Sequence, residues 1–313
     1  MQKHIPKIEL TTIPANIGKR LDLFLALGIP KYSRSFLKNL INTDQVLVNG
    51  EICFYPQYRL QAGDKVEVDF SEADAKVEAQ SVIKPVKIAL DVIYEDELVM
   101  VVNKAAGMTV HPGSGHWRDT LANAVKFYLQ AKGEDFFGLE RAGLVHRLDK
   151  PTSGVIIIAK KPESLWFISQ QFAQREVSKT YLALVKGKFP EKLTLRSALG
   201  RDPFNRQKFS SRGSTLKQAQ TDVETLDTVG NYSLVIAKPL TGRTHQIRVH
   251  LSEAGFPLVG DIKYKGELST RLMLHSWKLK LKLTPEGVTK TFIAAIPSDF
   301  QELLASKGFN LHE

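Results

Sequence analysis

Apolar positions near the start of the chain fall at helical spacing. Leu21, Phe24, Leu25 and Ala26 predict a helix from about Lys19 to Leu27, with Gly28 as its stop. A second helix is expected after Tyr32, with Ser33 as N-cap. Its residues Phe36, Leu37, Leu40 and Ile41 turn inward, and Arg34 and Lys38 stand four apart on the other side. Val46–Val48 then alternates into Asn49-Gly50, a strong hairpin signal, and Glu51 and Ile52 follow. After an Ala62-Gly63-Asp64 turn, a strand from Lys65 to Phe70 closes a small α/β unit spanning 14–70. The stretch 71–87 has few large apolar residues and no sustained period, so it reads as a linker. Beyond it, over 88–313, strands and helices mix. Strand-length apolar runs occur at Leu98–Val102, Val155–Ala159, Tyr181–Val185 and Ser233–Ala237, and helical periodicity at Leu121–Gln130, Ser164–Arg175 and Thr244–Ala254.

Composition narrows the class. The 313 residues, 43% of them apolar, suffice for two domains with real cores. Cys53 is the only cysteine, which excludes an internal disulfide, a Cys₄ zinc site and an iron–sulfur cluster. The N-terminal MQKHIPKIEL lacks the apolar core of a signal peptide, and no apolar run reaches membrane-spanning length, so a cytoplasmic protein with no membrane partner is expected. Lys and Arg outnumber Asp and Glu by 43 to 33, a formal charge of +10. Such an excess attracts polyanions through phosphate contacts, although a solvated lysine surface gives the same count.

Three stretches carry candidate chemistry. In GLVHRLDKPTSGVIIIAK, Pro151 stops a helix and Thr152-Ser153-Gly154 is turn chemistry, so Asp149 sits in a loop feeding the strand Val155–Ala159. His146, Arg147 and Lys150 are its cationic neighbours in sequence, and nearby cations favour a carboxylate able to act as nucleophile or base. Alone, such an aspartate is more often an Asx-turn residue. TGRTHQIRVHLSEAG predicts a helix with Thr244 as N-cap and Gly255 as stop, with His245 and Arg248 sharing a face near its start that suits an anion, although alone such a face is more often simply solvated. His245 and His250, five apart with no acidic or cysteine partner, make a poor metal pair, so no metal is expected. Tyr181 lies in an alternating strand with Ala183 and Val185 on its side, as a core aromatic or as a ring that stacks on a nucleobase. Neither a Walker A nor a GxGxxG pattern appears, nor GxSxG nor HExxH.

Taken together, from about Lys19 onward, these motifs resemble the RluA family of RNA pseudouridine synthases. HRLDKPTSG matches the family signature whose aspartate is catalytic, which implies that role for Asp149. TGRTHQIRVHL matches a second hallmark, whose distal arginine, here Arg248, pairs with that aspartate. The KTY sequence implies that Tyr181 contacts the target base. VHPG, VGDIKY and RLMLH are also similar, while Asn103-Lys104-Ala105 departs from the family's Asn-Lys-Pro. The resemblance implies an α+β fold with a mixed, largely antiparallel central sheet and flanking helices. The N-terminal unit resembles the S-four-type RNA-binding module.

The implied activity is isomerisation of specific uridines to pseudouridine in structured RNA, with large-subunit (23S-type) ribosomal RNA of a ribosome precursor as partner. No redox change occurs, so no cofactor is expected. The base would be flipped into a pocket, and Asp149 would attack the anomeric carbon or abstract a ribose proton. Arg147 would fill the gap left by the base or grip a phosphate, and Arg243 and His245 would touch RNA. Arg20, Lys31, Arg34 and Lys38 would grip phosphates from the small module. A monomer is the default state. The rival readings are a catalytically silent RNA-binding assembly protein and an enzyme cleaving a small nucleoside. The loop carboxylate disfavours the first, and the charge with the extra module disfavours the second.

Overall fold

The computed structural model describes residues 7–29, 32, 34–70, 83–112, 118–134, 140–205 and 207–310. The chain forms two compact units, residues 1–82 and 83–313.

In the first unit, β1 (Ile8–Thr11), α1 (Leu21–Gly28), α2 (Arg34–Asn42), β2 (Val46–Val48), β3 (Glu51–Ile52) and β4 (Lys65–Val68) follow one another. The strands pair antiparallel in the order β1-β4-β2-β3. Asn49 and Gly50 both take positive φ, 55° and 82°, as a type I′ hairpin demands. The inward residues of both helices, Leu21, Phe24, Leu25, Leu37, Leu40 and Ile41, meet Val46, Val66 and Val68 in one core. Three expectations shift. The first helix starts at Leu21 rather than Lys19, because Lys19 and Arg20 are held in extended pairing with Leu60 and Arg59. The last strand ends at Val68, and Phe70 instead stacks on Tyr32 at 4.7 Å. β1 was not foreseen. The expected cap Ser33 and the cation Lys31 lie outside the described residues.

The expected linker, 71–87, is described only from Ile83 on. There it belongs to the second unit: Ile83 packs beside Val125, Val86 N–H donates to Asn123 O, and Asn123 Nδ2 donates to Lys84 O.

The second unit contains β5 (Asp91–Glu95), β6 (Val99–Lys104), α3 (Leu121–Ala131), β7 (Ser153–Ala159), α4 (Pro162–Gln174), β8 (Ser178–Lys186) and β9 (Lys192–Arg201). Then come β10 (Phe209–Ser210), β11 (Ser214–Val229), β12 (Tyr232–Pro239), α5 (Gln246–Glu253), β13 (Leu274–Lys282), β14 (Thr289–Ile293) and α6 (Ser298–Ser306). One sheet runs β10-β9-β11-β12-β8-β13-β7-β6-β5, with β14 on β13, and only the β13–β7 pair is parallel. The fold is therefore α+β with a mixed, mostly antiparallel sheet.

β7 reads as an unbroken apolar run because helices cover both its faces. Ile156 and Ile158 meet Leu121, Val125 and Leu129 of α3, whereas Val155 and Ile157 meet Ile168 of α4. Two strands along, Ala183 and Val185 of β8 pack on Ile247 and Leu251 of α5, and Leu182 and Leu184 on Phe300 and Leu304 of α6. The start of β7 presses on β13 so closely that a Cβ on Gly154 would lie 2.2 Å from Ser276 O; its φ of +117° also requires glycine. No helix among the described residues is long and apolar enough to cross a membrane.

Candidate active site

Where β7, β8 and α5 meet, a cavity of about 420 Å³ opens. Asp149, Tyr181, Arg248, Arg147, Arg243 and His245, predicted from segments far apart in sequence, all line it.

Asp149 comes from the loop that enters β7. Its Pro151 turn is closed by Thr152 N–H to Asp149 O, and Ser153 beneath is fixed by His275 (2.8 Å) and Arg271 (2.6 Å). The carboxylate receives Arg248 Nη1 on Oδ2 at 3.3 Å. Arg248 is itself clamped by Asp261, Nε to Oδ2 at 2.7 Å and Nη2 to Oδ1 at 2.8 Å, and all three side chains are largely buried. That two-pronged grip fixes the plane of the guanidinium and leaves Nη1 aimed at Asp149. Burial disfavours the Arg248 charge, but Asp261, and then Asp149, more than offset it. His245 Nε2 lies 3.9 Å from the same Oδ2.

Tyr181 enters from β8 on the side of Ala183 and Val185, against the clusters of both α3 and α5. Burial, and then the charge of Asp149, push its hydroxyl up to about 12 against a lowering bond to Ser276, so it stays protonated. Lys179, two residues earlier, donates to Thr241 O at 3.2 Å and is held down to about 8 by burial and by Arg175. Arg147 is exposed, and Arg243 is half-buried with Nε on Gln218 O at 3.2 Å. These side chains make the cavity wall positive around one carboxylate.

Several expectations are corrected here. Thr244 does not cap α5: the helix begins at Gln246 with His245 as N-cap, left-handed at φ 57°, ψ 18°, and no side-chain cap bond. His146 is not a cation beside Asp149. Its Nε2 accepts Ile157 N–H at 3.1 Å, its ring stacks on Phe172 at 4.7 Å, and burial holds it down to about 3. The cation underneath is Lys104, buried and donating to Ala105 O, Met108 O and Lys150 O. Burial pulls it to about 7 against the opposing charge of Asp149. The sequence gives Lys104, Asp261, Tyr264 and Lys179 no role, although Asp261 and Tyr264 lie in VGDIKY and Lys179 in KTY.

In the first unit, Arg20 and Arg34 turn onto one buried carboxylate, Asp22, with Nε to Oδ1 at 3.0 Å and Nη2 to Oδ2 at 2.8 Å. Burial raises the Asp22 pKa, but the two guanidinium bonds lower it further. Lys38 is exposed on α2.

Among the described residues no group of three or more His, Cys, Asp or Glu is placed to hold a metal.

Comparison with known proteins adds the following. Residues 98–253 match the family model described as RNA pseudouridylate synthase. "Ribosomal large subunit pseudouridine synthase D" of Borreliella burgdorferi is 36% identical over 92% of this chain and 89% of that protein. The protein of the same name from Escherichia coli is 33% identical over 95% and 94%. Among solved structures, human RNA pseudouridylate synthase domain containing 1 aligns with a TM-score of 0.54 at 27% identity, covering 71% of this chain and 96% of that one.

Proposed function

This chain belongs to the RluA-type family of RNA pseudouridine synthases, and from that premise we propose that it acts on specific uridines of large-subunit (23S-type) ribosomal RNA, with Asp149 opening the glycosidic bond. The family makes it an isomerase with RNA as substrate. The rRNA reading draws support from relatives named for the large ribosomal subunit, at 33 to 36% identity over most of both chains. The observation that carries the catalytic reading is the Asp261–Arg248–Asp149 chain, which presents one oriented carboxylate to a cavity of single-nucleotide size.

A uridine in structured RNA must leave its stack to reach Asp149, at a cost of a few kcal/mol that is smaller in loops. The cations at the cavity repay part of it: Arg147 and Arg243 meet phosphate or the gap left by the base, with Lys179 deeper in the wall. Tyr181, protonated, packs against the base or hands on a proton. Attack on the anomeric carbon and removal of a ribose proton both use one oxygen of Asp149, and both leave the uracil held while it turns. Arg20, Arg34 and Lys38 give the first unit its RNA-facing charge, two of them after neutralising Asp22. No cofactor enters, and the enzyme works as a monomer.

The test is a single-turnover reaction of purified protein with large-subunit rRNA, tRNA and free uridine in parallel. Pseudouridine in the rRNA alone is the expected result. Modification of free uridine would support a nucleoside enzyme, and no product with tight RNA binding would support a silent assembly factor.

A further inference from the structure

The sequence points to His245 as an RNA contact, but its ring is fixed from behind by Tyr264 and Phe209. Nδ1 lies 2.7 Å from Tyr264 Oη, and that same oxygen accepts the Phe209 backbone N–H at 2.9 Å. The rings of Phe209 and Tyr264 close on the imidazole edge-on, at 5.7 and 5.5 Å. Tyr264 is buried and pushed up to about 12, chiefly by that burial, so its oxygen carries a proton. With one lone pair engaged by Phe209, pointing the hydroxyl proton at Nδ1 gives that proton an acceptor and leaves Phe209 N–H, Tyr264 Oη and Nδ1 all paired. Nδ1 then accepts, and the ring's own proton sits on Nε2, which faces Asp149 Oδ2 across 3.9 Å.

We propose that Tyr264 holds His245 as the neutral Nε2–H tautomer, making it a positioning residue for Asp149 rather than a base or a phosphate contact. Arg248 Nη1 donates to the same Oδ2 at 3.3 Å, and Nε2–H faces that oxygen from 3.9 Å, so both donors are aimed at one oxygen and Oδ1 is left to the reacting ribose. An Nε2 that carries the proton has no lone pair with which to take one from substrate. The charged groups around the ring agree with neutrality. Burial, with Arg248 and Lys263, pulls His245 down to about 4 against Asp149 and Asp261. The 3.9 Å separation is a gap that closes when substrate binds, as donor contacts in unliganded sites do. The left-handed backbone at His245, φ 57°, persists where surrounding contacts over-determine it, and the residue lines the cavity.

The role assigned to His245 rests on the proposed function of Asp149, but the tautomer does not, so the two fail separately. Long-range ¹H–¹⁵N spectra of ¹⁵N-histidine-labelled full-length protein, without RNA, are compared with those of His245→Gln to assign the ring. A protonated Nε2 and unprotonated Nδ1 from pH 5.5 to 8.5 is expected, with Tyr264→Phe mixing the tautomers. A protonated Nδ1, or an imidazolium near neutral pH, overturns the proposal. In single-turnover assays, His245→Ala is expected to lose about 10- to 100-fold in rate with RNA affinity within threefold. His245→Gln, whose amide keeps a donor near Nε2, should recover most of that loss. A defect confined to RNA affinity, or His245→Gln as slow as His245→Ala, overturns it too.

Discussion

Asp261 spends both carboxylate oxygens on Arg248, so its effect on Asp149 is exerted through the guanidinium plane. Asp261→Asn is expected to slow single-turnover pseudouridine formation by about 10- to 100-fold while RNA binding changes little, read by rate and filter binding on one preparation. Lys104 gives a pH signature with a defined sign. Its folded value is near 7 and its unfolded value near 10.5, so the unfolded chain binds the extra proton between them and stability rises with pH across that window. The rise is at most about 1.4 kcal/mol per pH unit. Urea unfolding from pH 7 to 10 should show a steeper rise in the wild type than in Lys104→Met, where Lys179, held near 8 by burial, keeps a smaller one. Asp149, Tyr181 and Arg248 stand out in the sequence only through the motifs HRLDKPTSG, KTY and TGRTHQIRVHL taken together, since each residue alone reads as structural. The sequence misassigned His146 because neighbours in a loop need not face each other. It was silent on Lys104 and Asp261 because their roles exist only after distant strands meet, as Arg248 and Asp149, 99 positions apart, already illustrate.

Among the elements, β7 sets the height of the Asp149 loop, and its parallel seam with β13 depends on Gly154. Gly154→Ala puts a methyl into Ser276 O at a φ that alanine resists, so a loss of about 2–3 kcal/mol is expected, measured by urea unfolding. Wild-type stability in that variant would show that the seam relaxes freely. Elements with a buried apolar run or stripe, such as β7, β8, α3 and α4, were legible within a few residues. β9 and β11 were not, since few residues of KLTLRSALGR and STLKQAQTDVETLDTV are buried and the strands pair through backbone bonds that side-chain pattern does not encode. The start of α5 was missed for a different reason: its first turn is fixed by left-handed His245 and by Gln246 bonded to Thr241 and Arg243 N–H, and no propensity signals that.

Across the whole molecule, the +10 charge is divided between groups that face outward and groups that shape the site. His146, His245 and His275 are all held well below 6.5, at about 3, 4 and 4, each first by burial. Their neutral forms stabilise the fold above pH 6.5, and that contribution is lost as pH falls toward 4, where the unfolded chain binds more protons. Lowered carboxylates such as Glu95, held to about 2 by Lys132 and Lys160 against burial, act in the same direction below their own unfolded value. Denaturant titrations at steps from pH 7 to 4 are expected to show falling stability with an uptake of about three protons or more on unfolding, since His250, also lowered by burial, and the carboxylates add to the three. An uptake near zero would mean that the histidines are not held neutral. The most direct test of the central claim is made in cells that lack this gene and carry either the wild-type chain or Asp149→Asn at equal abundance, by mapping pseudouridines across the large-subunit rRNA. Specific positions should be modified by the wild type and left as uridine by Asp149→Asn; the same positions modified by both would contradict the role given to Asp149.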